Sequence, residues 1–235
     1  MNPTTDPPEE KVHHPLFARM YLRAVTRRAT VDEDQYRRRL LAGLAGSVIE
    51  LGPGSGINFR FYPPTVERVL AIEPEPLLRG EAIKNAAGAA VPIAVVDGVS
   101  GHLPADDESV DGAVVSLVLC SVPDQHRALA ELRRVLRPGG ELRFYEHVVA
   151  RQALAALLQR AADATIWPRV AGGCHLSRDT GAALERAGFT VERCERFSFT
   201  AGPPVPPIPH ILGIARRPTS EPRGRRTLRR PSARG

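Results

Sequence analysis

A short glycine-rich segment, VIELGPGSGINF, has the residue types of a ligand-binding turn. An apolar run leads to Glu50, and three glycines then alternate with other residues: Gly52, Gly54 and Gly56. Glycine permits positive φ angles and lets backbone amides approach a ligand closely, and the glutamate would attract a cationic group. A dinucleotide-binding turn needs the spacing G-x-G-x-x-G, but Ile57 stands at the position of its last glycine. The segment therefore predicts a small-molecule site and argues against an NAD-dependent oxidoreductase.

The elements that position this turn follow from an alternation of apolar runs and helical patterns. Five runs predict strands: Ser47–Leu51, Arg68–Pro74, Pro92–Gly98, Val110–Leu119 and Gly140–Val148. Two later runs, TVERCERF and HILGIAR, predict a closing strand pair. This order predicts an α/β fold with a Rossmann-like, mostly parallel seven-stranded sheet and helices on both faces. Ligands bind such a sheet outside the carboxyl ends of its strands, where the glycine-rich turn lies.

Helical segments and two irregular ends complete the predicted organisation. A helix is predicted at Asp124–Leu136, and Pro138-Gly139-Gly140 stops it. A long helix is predicted at roughly Arg151–Trp167, and Ser177 is predicted as the N-cap of a further helix. The chain is then divided into a flexible leader at 1–15, N-terminal lid helices at 16–46, the main domain at 47–215 and a disordered basic tail at 216–235.

The positive charge of the chain belongs to its C-terminal end. The net charge is +6 at pH 7, yet segment 216–235 contains eight arginines and one glutamate. Removing that charge of +7 leaves −1 for the other residues. The segment is interrupted by proline, glycine and serine and has no aromatic side chain for base stacking. A solvated terminus is therefore preferred to a contact with nucleic acid or anionic lipid.

Cysteine usage and hydropathy favour a reducing, aqueous compartment. Cys120, Cys174 and Cys194 are widely spaced and form no CxxC pair, so the sequence supports neither a disulfide framework nor a metal site. No apolar run is long enough to span a bilayer, and the polar N-terminus lacks the apolar region of a secretory signal. The expected location is the cytoplasm.

The motifs together resemble those of class I S-adenosylmethionine-dependent methyltransferases. VIELGPGSG resembles the first motif of that family, AIEP its ribose-binding motif and VVDG the loop at the adenine edge. LPADDESVDGAVVSLVLCSVPD and ALAELRRVLRPGGELRFYEHV are similar to the family's fourth strand, the helix after it, its Pro-Gly-Gly turn and its fifth strand. The resemblance runs over roughly residues 45–215. It implies S-adenosyl-L-methionine as the cofactor.

The resemblance implies a role for each acid of these motifs. Glu50 would complement the positive charge at the amino-acid end of the cofactor. Glu73 would accept hydrogen bonds from both ribose hydroxyls. Asp97 would accept from the adenine amino group, while the amide of Gly98 would donate to a ring nitrogen. The other expected cofactor-binding residues are Gly52, Gly54, Gly56, Asn58, Pro74 and Leu117.

A more specific resemblance is to the methyltransferase-like 7 proteins, which are membrane-associated alkyl thiol methyltransferases, and to their bacterial relatives. It rests on GSGINFRFYPP, LVLCSV, VLRPGGELRFYEHV, GCHLSRDTGAALERAGF and PHILGIA. Those proteins carry an apolar N-terminal membrane segment, whereas this chain has a charged, proline-rich leader, so membrane attachment is not expected. The resemblance implies methyl transfer to a small-molecule acceptor, with a thiol as the first choice.

The expected chemistry is a direct in-line displacement at the sulfonium methyl, which depends on alignment and needs no covalent intermediate. A thiol or phenol acceptor benefits from deprotonation, and His147 is the best-placed general base because imidazole titrates near neutral pH. Cys120 is expected to be a small apolar lining residue. The lid helices and Gln152–His175 are expected to cover the acceptor pocket. Further candidates for that pocket are Tyr21, His175 and His210.

Alternatives of substrate and of class stay open at this point. Enzymes that methylate isoprenoid quinone precursors or phospholipid headgroups share the RPGG turn, so these acceptors are the enzymatic alternative. A non-catalytic cofactor-binding or nucleic-acid-binding protein is the alternative of another class. The near-neutral core argues against a broad basic groove.

Overall fold

A mixed sheet forms the centre of the computed structural model, which describes residues 13–27, 31–165, 167–200 and 207–219. The strands within these residues are β1 (Gly46–Leu51), β2 (Val66–Ile72), β3 (Ile93–Val96), β4 (Val110–Ser116), β5 (Leu136–His147), β6 (Thr190–Phe199) and β7 (Ile208–Arg216). Their order is β3-β2-β1-β4-β5-β7-β6. Strands β1 to β5 pair in parallel, and β7 pairs antiparallel with both β5 and β6. The predicted seven-stranded, mostly parallel sheet is confirmed.

Helices cover the sheet and its carboxyl edge. They are α1 (Pro15–Arg27), α2 (Val31–Leu41), α3 (Pro76–Ala86), α4 (Gln125–Val135), α5 (Ala153–Asp163), α6 (Trp167–Val170) and α7 (Thr180–Arg186), with a 3₁₀ helix at Ile57–Phe61. Within the described ranges, no helix combines the length and the apolar composition needed to cross a bilayer.

The core lies on both faces of the sheet because alternate residues of a strand point to opposite sides. In β1, Val48 belongs to one apolar cluster and Ile49 to another, and both side chains are fully buried. β1 is paired on both edges because it lies between β2 and β4, and the two apolar clusters cover its two faces. This explains the continuous apolar run of β1, which parallel strands of this kind require. The glycine-rich turn therefore leaves a rigid strand.

The structure corrects the predicted end of the α4 helix. The helix ends at Val135, and Leu136 already pairs with Val110 of β4. The predicted helix end at Leu136 therefore lies one residue beyond the observed end, and Pro138-Gly139-Gly140 lie within β5. Strand pairing begins before the turn residues because Leu136 is buried in the core under the sheet.

The predicted long helix at Arg151–Trp167 is shorter than expected: α5 ends at Asp163, and a separate helix, α6, begins at Trp167. Asp163 is the last residue of α5, and its carboxylate accepts hydrogen bonds from the amides of Leu176 and Ser177 in the segment between α6 and α7. The hydroxyl of Ser177 also donates to Asp163, so this serine does not cap the next helix as predicted. Asp179 is the N-cap of α7, and its carboxylate accepts from the amide of Ala182.

Candidate active site

A cavity of about 210 Å³ lies at the carboxyl ends of β1 and β4. The order of the strands reverses between β1 and β4, and open α/β sheets bind ligands at such a point. Of the cofactor-binding residues expected from the sequence, those that line the cavity are Glu50, Gly52, Gly54, Asn58, Glu73, Pro74 and Leu117. The structure thus brings most of the expected site together.

The glycine-rich turn has a backbone that other residues would strain. Gly52 and Gly54 have φ angles of 64° and 60°. A Cβ atom on Gly52 would lie 2.4 Å from a methyl carbon of Val118, and one on Gly54 would lie 3.1 Å from the hydroxyl oxygen of Tyr21. Glycine is therefore required by the turn and by the close approach of two other segments. Gly56 lies outside the lining and begins the 3₁₀ helix.

Glu50 is buried, with 1% of its surface exposed, and both carboxylate oxygens already accept hydrogen bonds. One oxygen accepts from the side-chain amide of Asn58 at 2.7 Å, and the other accepts from the hydroxyl of Tyr62 at 2.8 Å. Burial raises the pKa of Glu50, although the bonds from Tyr62 and Asn58 oppose this rise. Glu50 therefore holds the 3₁₀ helix against β1 and contributes negative charge to the cavity wall.

Glu73 follows β2 and joins two turns at the cavity. Its carboxylate accepts hydrogen bonds from the amides of Gly54 at 2.9 Å and Glu75 at 3.1 Å. Burial raises the pKa of Glu73 to about 7, even though these two bonds favour the ionised form. A buried carboxylate of this kind is a strong acceptor for ligand hydroxyls once it is ionised.

Asp97 and Gly98 do not line the cavity. The side chain of Asp97 is 71% exposed and forms an ion pair with Arg79, at 3.0 Å between the carboxylate oxygen and the guanidinium nitrogen. Ser100, two residues beyond Gly98, does line the cavity. The adenine contacts expected of Asp97 and Gly98 stay predictions.

Arg37, on α2, is a cavity residue that was not singled out from the sequence. Its guanidinium donates to the side-chain oxygens of Asn58 at 2.9 Å and Glu33 at 2.6 Å. The side chain is 7% exposed, and its Nε atom has no hydrogen-bond partner among the described residues. Arg37 is one of three consecutive arginines, and no local signal distinguishes it from Arg38 and Arg39.

The loop after β4, residues 117–123, is held in place by hydrogen bonds to Glu146 of β5. Leu117 has a positive φ of 58°, which is uncommon for a residue other than glycine. The fully buried carboxylate of Glu146 accepts from the amides of Val118, Leu119 and Cys120 at 3.0, 3.0 and 3.2 Å. Burial raises the pKa of Glu146, while these amide bonds oppose the rise. Glu146 therefore fixes the loop that carries Leu117 into the cavity.

His147 contacts two cysteines and lies outside the cavity lining. Its Nδ1 atom is 3.7 Å from the sulfur of Cys120 and 3.5 Å from the sulfur of Cys174. Burial lowers the pKa of His147, but the hydrogen bond and the charge of Cys120 and the charge of Glu146 together outweigh this, so the pKa lies above its usual value. The contact between the two cysteines raises the pKa of Cys120 and lowers that of Cys174. The general-base role of His147 stays a prediction.

The other histidines considered for the acceptor pocket also lie outside the cavity lining, whereas Tyr21 is part of it. The ring of His210 packs edge-on against His147 at 4.5 Å between ring centroids. Burial lowers the pKa of His210 to about 3. Cys120 is buried, but it packs with Cys174 and Leu176 and not along the cavity as expected.

Comparison with known proteins decides the family. Residues 49–144 match the family model described as Methyltransferase domain. Human thiol S-methyltransferase TMT1B is 38% identical over an alignment of 184 residues that covers 74% of this chain and 73% of that protein. The chain belongs to the class I S-adenosylmethionine-dependent methyltransferases.

Other similar proteins agree with this methyltransferase assignment. Human thiol S-methyltransferase TMT1A is 38% identical over 180 residues, covering 74% of this chain and 72% of that protein. A solved structure of a methyltransferase candidate from Bacillus halodurans superimposes with a TM-score of 0.65 over 80% of this chain and 100% of that one. At 17% identity it supports the methyltransferase fold alone.

Proposed function

We propose that this methyltransferase moves the methyl group of S-adenosylmethionine to the sulfur of a small thiol, with the cofactor in the cavity at the ends of β1 and β4. The likeness to two human thiol S-methyltransferases over about three quarters of the chain supports the thiol. The arrangement of carboxylates around the glycine-rich turn carries the cofactor site. Quinone precursors and phospholipid headgroups are the less favoured acceptors.

The cavity wall suits a cationic ligand. Among the described residues, the acidic and basic side chains that line it are Glu33, Glu50, Glu73, Glu75, Arg37 and His14. The sulfonium and α-amino groups of the cofactor are positive, so a predominance of carboxylates in a poorly solvated cavity stabilises them. The residues present therefore fit S-adenosylmethionine, which supplies a methyl group on a positively charged sulfur.

Glu73 and Arg37 would orient the two ends of the cofactor. The carboxylate of Glu73 would accept hydrogen bonds from the ribose hydroxyls, and its position beside the amide of Gly54 places it at the turn. The guanidinium of Arg37 would donate to the carboxylate of the methionine part, because Arg37 lines the cavity and its buried Nε atom has no hydrogen-bond partner among the described residues. Two anchors far apart on the ligand fix its direction.

Alignment of the acceptor would account for much of the catalysis. Phe17 and Tyr21 of α1 and Gly172 after α6 line the cavity, which supports a lid made of the N-terminal helices and the region 152–175. These segments would exclude water from the reacting sulfur. His147 is the proposed base for the thiol proton, supported by its place at the end of β5 beside the loop 117–123.

The experiment that tests this proposal is calorimetry with S-adenosylmethionine followed by turnover with an acceptor panel. We expect methylation of alkyl thiols and none of demethylmenaquinone or phosphatidylethanolamine. Glu73→Ala should raise the cofactor Kd at least tenfold, about 1.4 kcal/mol, because the ribose acceptor is lost. Glu67→Ala, an exposed glutamate of β2, is the matched control and should leave the Kd unchanged. An unchanged Kd in Glu73→Ala would remove Glu73 from the site.

A further inference from the structure

Three side chains from distant segments converge beside the cavity. Cys120 lies in the loop after β4, His147 ends β5, and Cys174 follows α6. Both sulfurs and a ring nitrogen lie within 4.8 Å of one another. We call these residues the Cys–His cluster. Sequence spacing gave no sign of it, because each cysteine stands alone in its own motif.

The distances in the Cys–His cluster match those of ligands around one tetrahedral metal ion. Zinc binds thiolate sulfur at about 2.3 Å and imidazole nitrogen at about 2.0–2.1 Å, so a tetrahedral angle separates the two ligand atoms by about 3.6 Å. The observed separations from Nδ1 of His147 are 3.7 Å to the sulfur of Cys120 and 3.5 Å to that of Cys174. These two nitrogen–sulfur pairs therefore already have the spacing that a bound ion requires.

We propose that Cys120, His147 and Cys174 bind Zn²⁺ through two thiolates and one imidazole nitrogen. Thiolate and imidazole ligands suit zinc better than the hard cations, which prefer oxygen. Among the described residues no fourth His, Cys, Asp or Glu joins the group. A set of three protein ligands is typical of zinc sites that keep one position for water or another exogenous ligand, whereas structural sites have four.

The surroundings of the Cys–His cluster hold its ligands in place. The amide of His175, next to Cys174, donates to the carbonyl of Cys120 at 2.8 Å and so ties the two cysteine loops together. Glu146 holds the amide of Cys120 from the other side. Apolar side chains enclose the sulfurs, and a water-poor setting strengthens the attraction between thiolates and a cation.

The cluster also adjoins the cavity through its neighbours in sequence. Ser121 follows Cys120 and Gly172 precedes Cys174 by two residues, and both line the cavity. Nδ1 of His147 cannot bind a metal and accept a proton at the same time. The metal site and the proposed base role of His147 therefore exclude each other, and the zinc content of the unaltered protein decides between them.

The test uses the full chain without a polyhistidine tag, purified with a phosphine reductant. We expect about one zinc per chain by mass spectrometry of the metal content. Replacement by Co²⁺ should give the charge-transfer absorption of two thiolate ligands and the visible bands of a tetrahedral ion. Cys120→Ser and Cys174→Ser should each weaken Co²⁺ binding at least tenfold and reduce the charge-transfer intensity. Cys194→Ser, an exposed cysteine outside the cluster, should change neither.

The serine variants could lose metal simply because they fail to fold, so the zinc content and the Co²⁺ spectrum of the unaltered protein decide the test. Absence of zinc together with a Co²⁺ spectrum lacking thiolate charge transfer would overturn the proposal, whatever the serine variants do. Equal loss of the signal in Cys194→Ser would overturn it as well. A Cys120–Cys174 disulfide found under the same reducing conditions, with no metal bound, would assign the cluster to redox chemistry instead.

Discussion

Glu73 has two opposed properties, because the carboxylate proposed to hold the ribose is also one that burial makes hard to ionise. Its pKa of about 7 lies well above the usual 4.5. Between these two values the folded protein keeps a proton that the unfolded chain has lost, so the free energy of unfolding falls as the pH rises through this window. The site therefore costs the unliganded protein stability at neutral pH.

Glu73→Gln removes this titration. We expect the free energy of unfolding of the unliganded variant, relative to the original protein, to increase by up to about 3 kcal/mol between about pH 5 and about pH 8. Urea unfolding at both pH values measures it. Glu67→Gln, at an exposed glutamate of β2, the strand that precedes Glu73, is the control. A pH-independent difference for Glu73→Gln would contradict the raised pKa of Glu73.

Arg37 can be tested for its proposed contact with the methionine carboxylate. Arg37→Met should raise the Kd for S-adenosylmethionine about tenfold or more, because a charge-assisted hydrogen bond is lost. The Kd for methylthioadenosine, which lacks the amino-acid part, should change little. Calorimetry with both ligands on Arg37→Met and on the neighbouring Arg38→Met separates this contact from a general loss of structure. Equal weakening of both ligands by Arg37→Met would assign the arginine to folding alone.

At the scale of elements, the loop 117–123 follows β4, but a residue of the neighbouring strand β5 holds its backbone in place. Glu146 of β5 accepts three of its amides, and Leu117 keeps a left-handed backbone above it. Parallel pairing of β4 and β5 brings the acceptor to these donors. The loop is therefore set by tertiary contact and not by its own residues.

Glu146→Gln should loosen this loop. The side-chain amide retains one acceptor oxygen but places a donor against backbone donors, so we expect the free energy of unfolding to fall by about 1–3 kcal/mol. The Kd for S-adenosylmethionine should rise as well, since Leu117 and Val118 line the cavity. Asp124→Ala, which removes the N-cap of α4, should cost about 1 kcal/mol and leave the Kd unchanged. A Glu146→Gln protein with unaltered affinity would separate the loop from the site.

At the scale of the whole molecule, the folded part extends further than the predicted boundary at residue 215. Arg216 is the last residue of β7 and forms ion pairs with Glu192 and Glu141. The amide of Arg217 donates to the carbonyl of Gly140 at 2.9 Å, so this residue closes the end of the sheet. These two arginines belong to the fold, whereas residues 220–235 lie outside the described ranges.

Two truncated chains test this boundary. A chain ending at Thr219 should unfold at the same temperature as the full chain and keep its affinity for S-adenosylmethionine. A chain ending at Ala215 should lose about 1–3 kcal/mol, because the hydrogen bonds and ion pairs of both arginines are removed. Differential scanning calorimetry of the three proteins measures the difference. Equal stability of the two truncated chains would contradict the structural role of Arg216 and Arg217.

The sequence by itself determined the fold class and the place of the glycine-rich turn. Both depend on local patterns, since apolar runs and turn residues report which face of a strand is buried and where it ends. Glu50 was singled out at the end of the first apolar run, and Glu73 by the resemblance of AIEP to the ribose-binding motif of the family. Short sequence motifs are sufficient to identify candidate residues that lie on the glycine-rich turn or at the end of the next strand.

Only the tertiary structure decided the residues that meet from distant segments. It selected Arg37 from three consecutive arginines, turned Asp97 toward Arg79 and gathered Cys120, His147 and Cys174. Each of these contacts depends on the packing of whole elements, which fixes side-chain directions that no short stretch of sequence encodes. The ionisation of a buried carboxyl, imidazole or thiol group depends on the residues around it, and here distant segments of the chain supply those residues. The chemistry of the site therefore follows from the tertiary structure and not from the sequence alone.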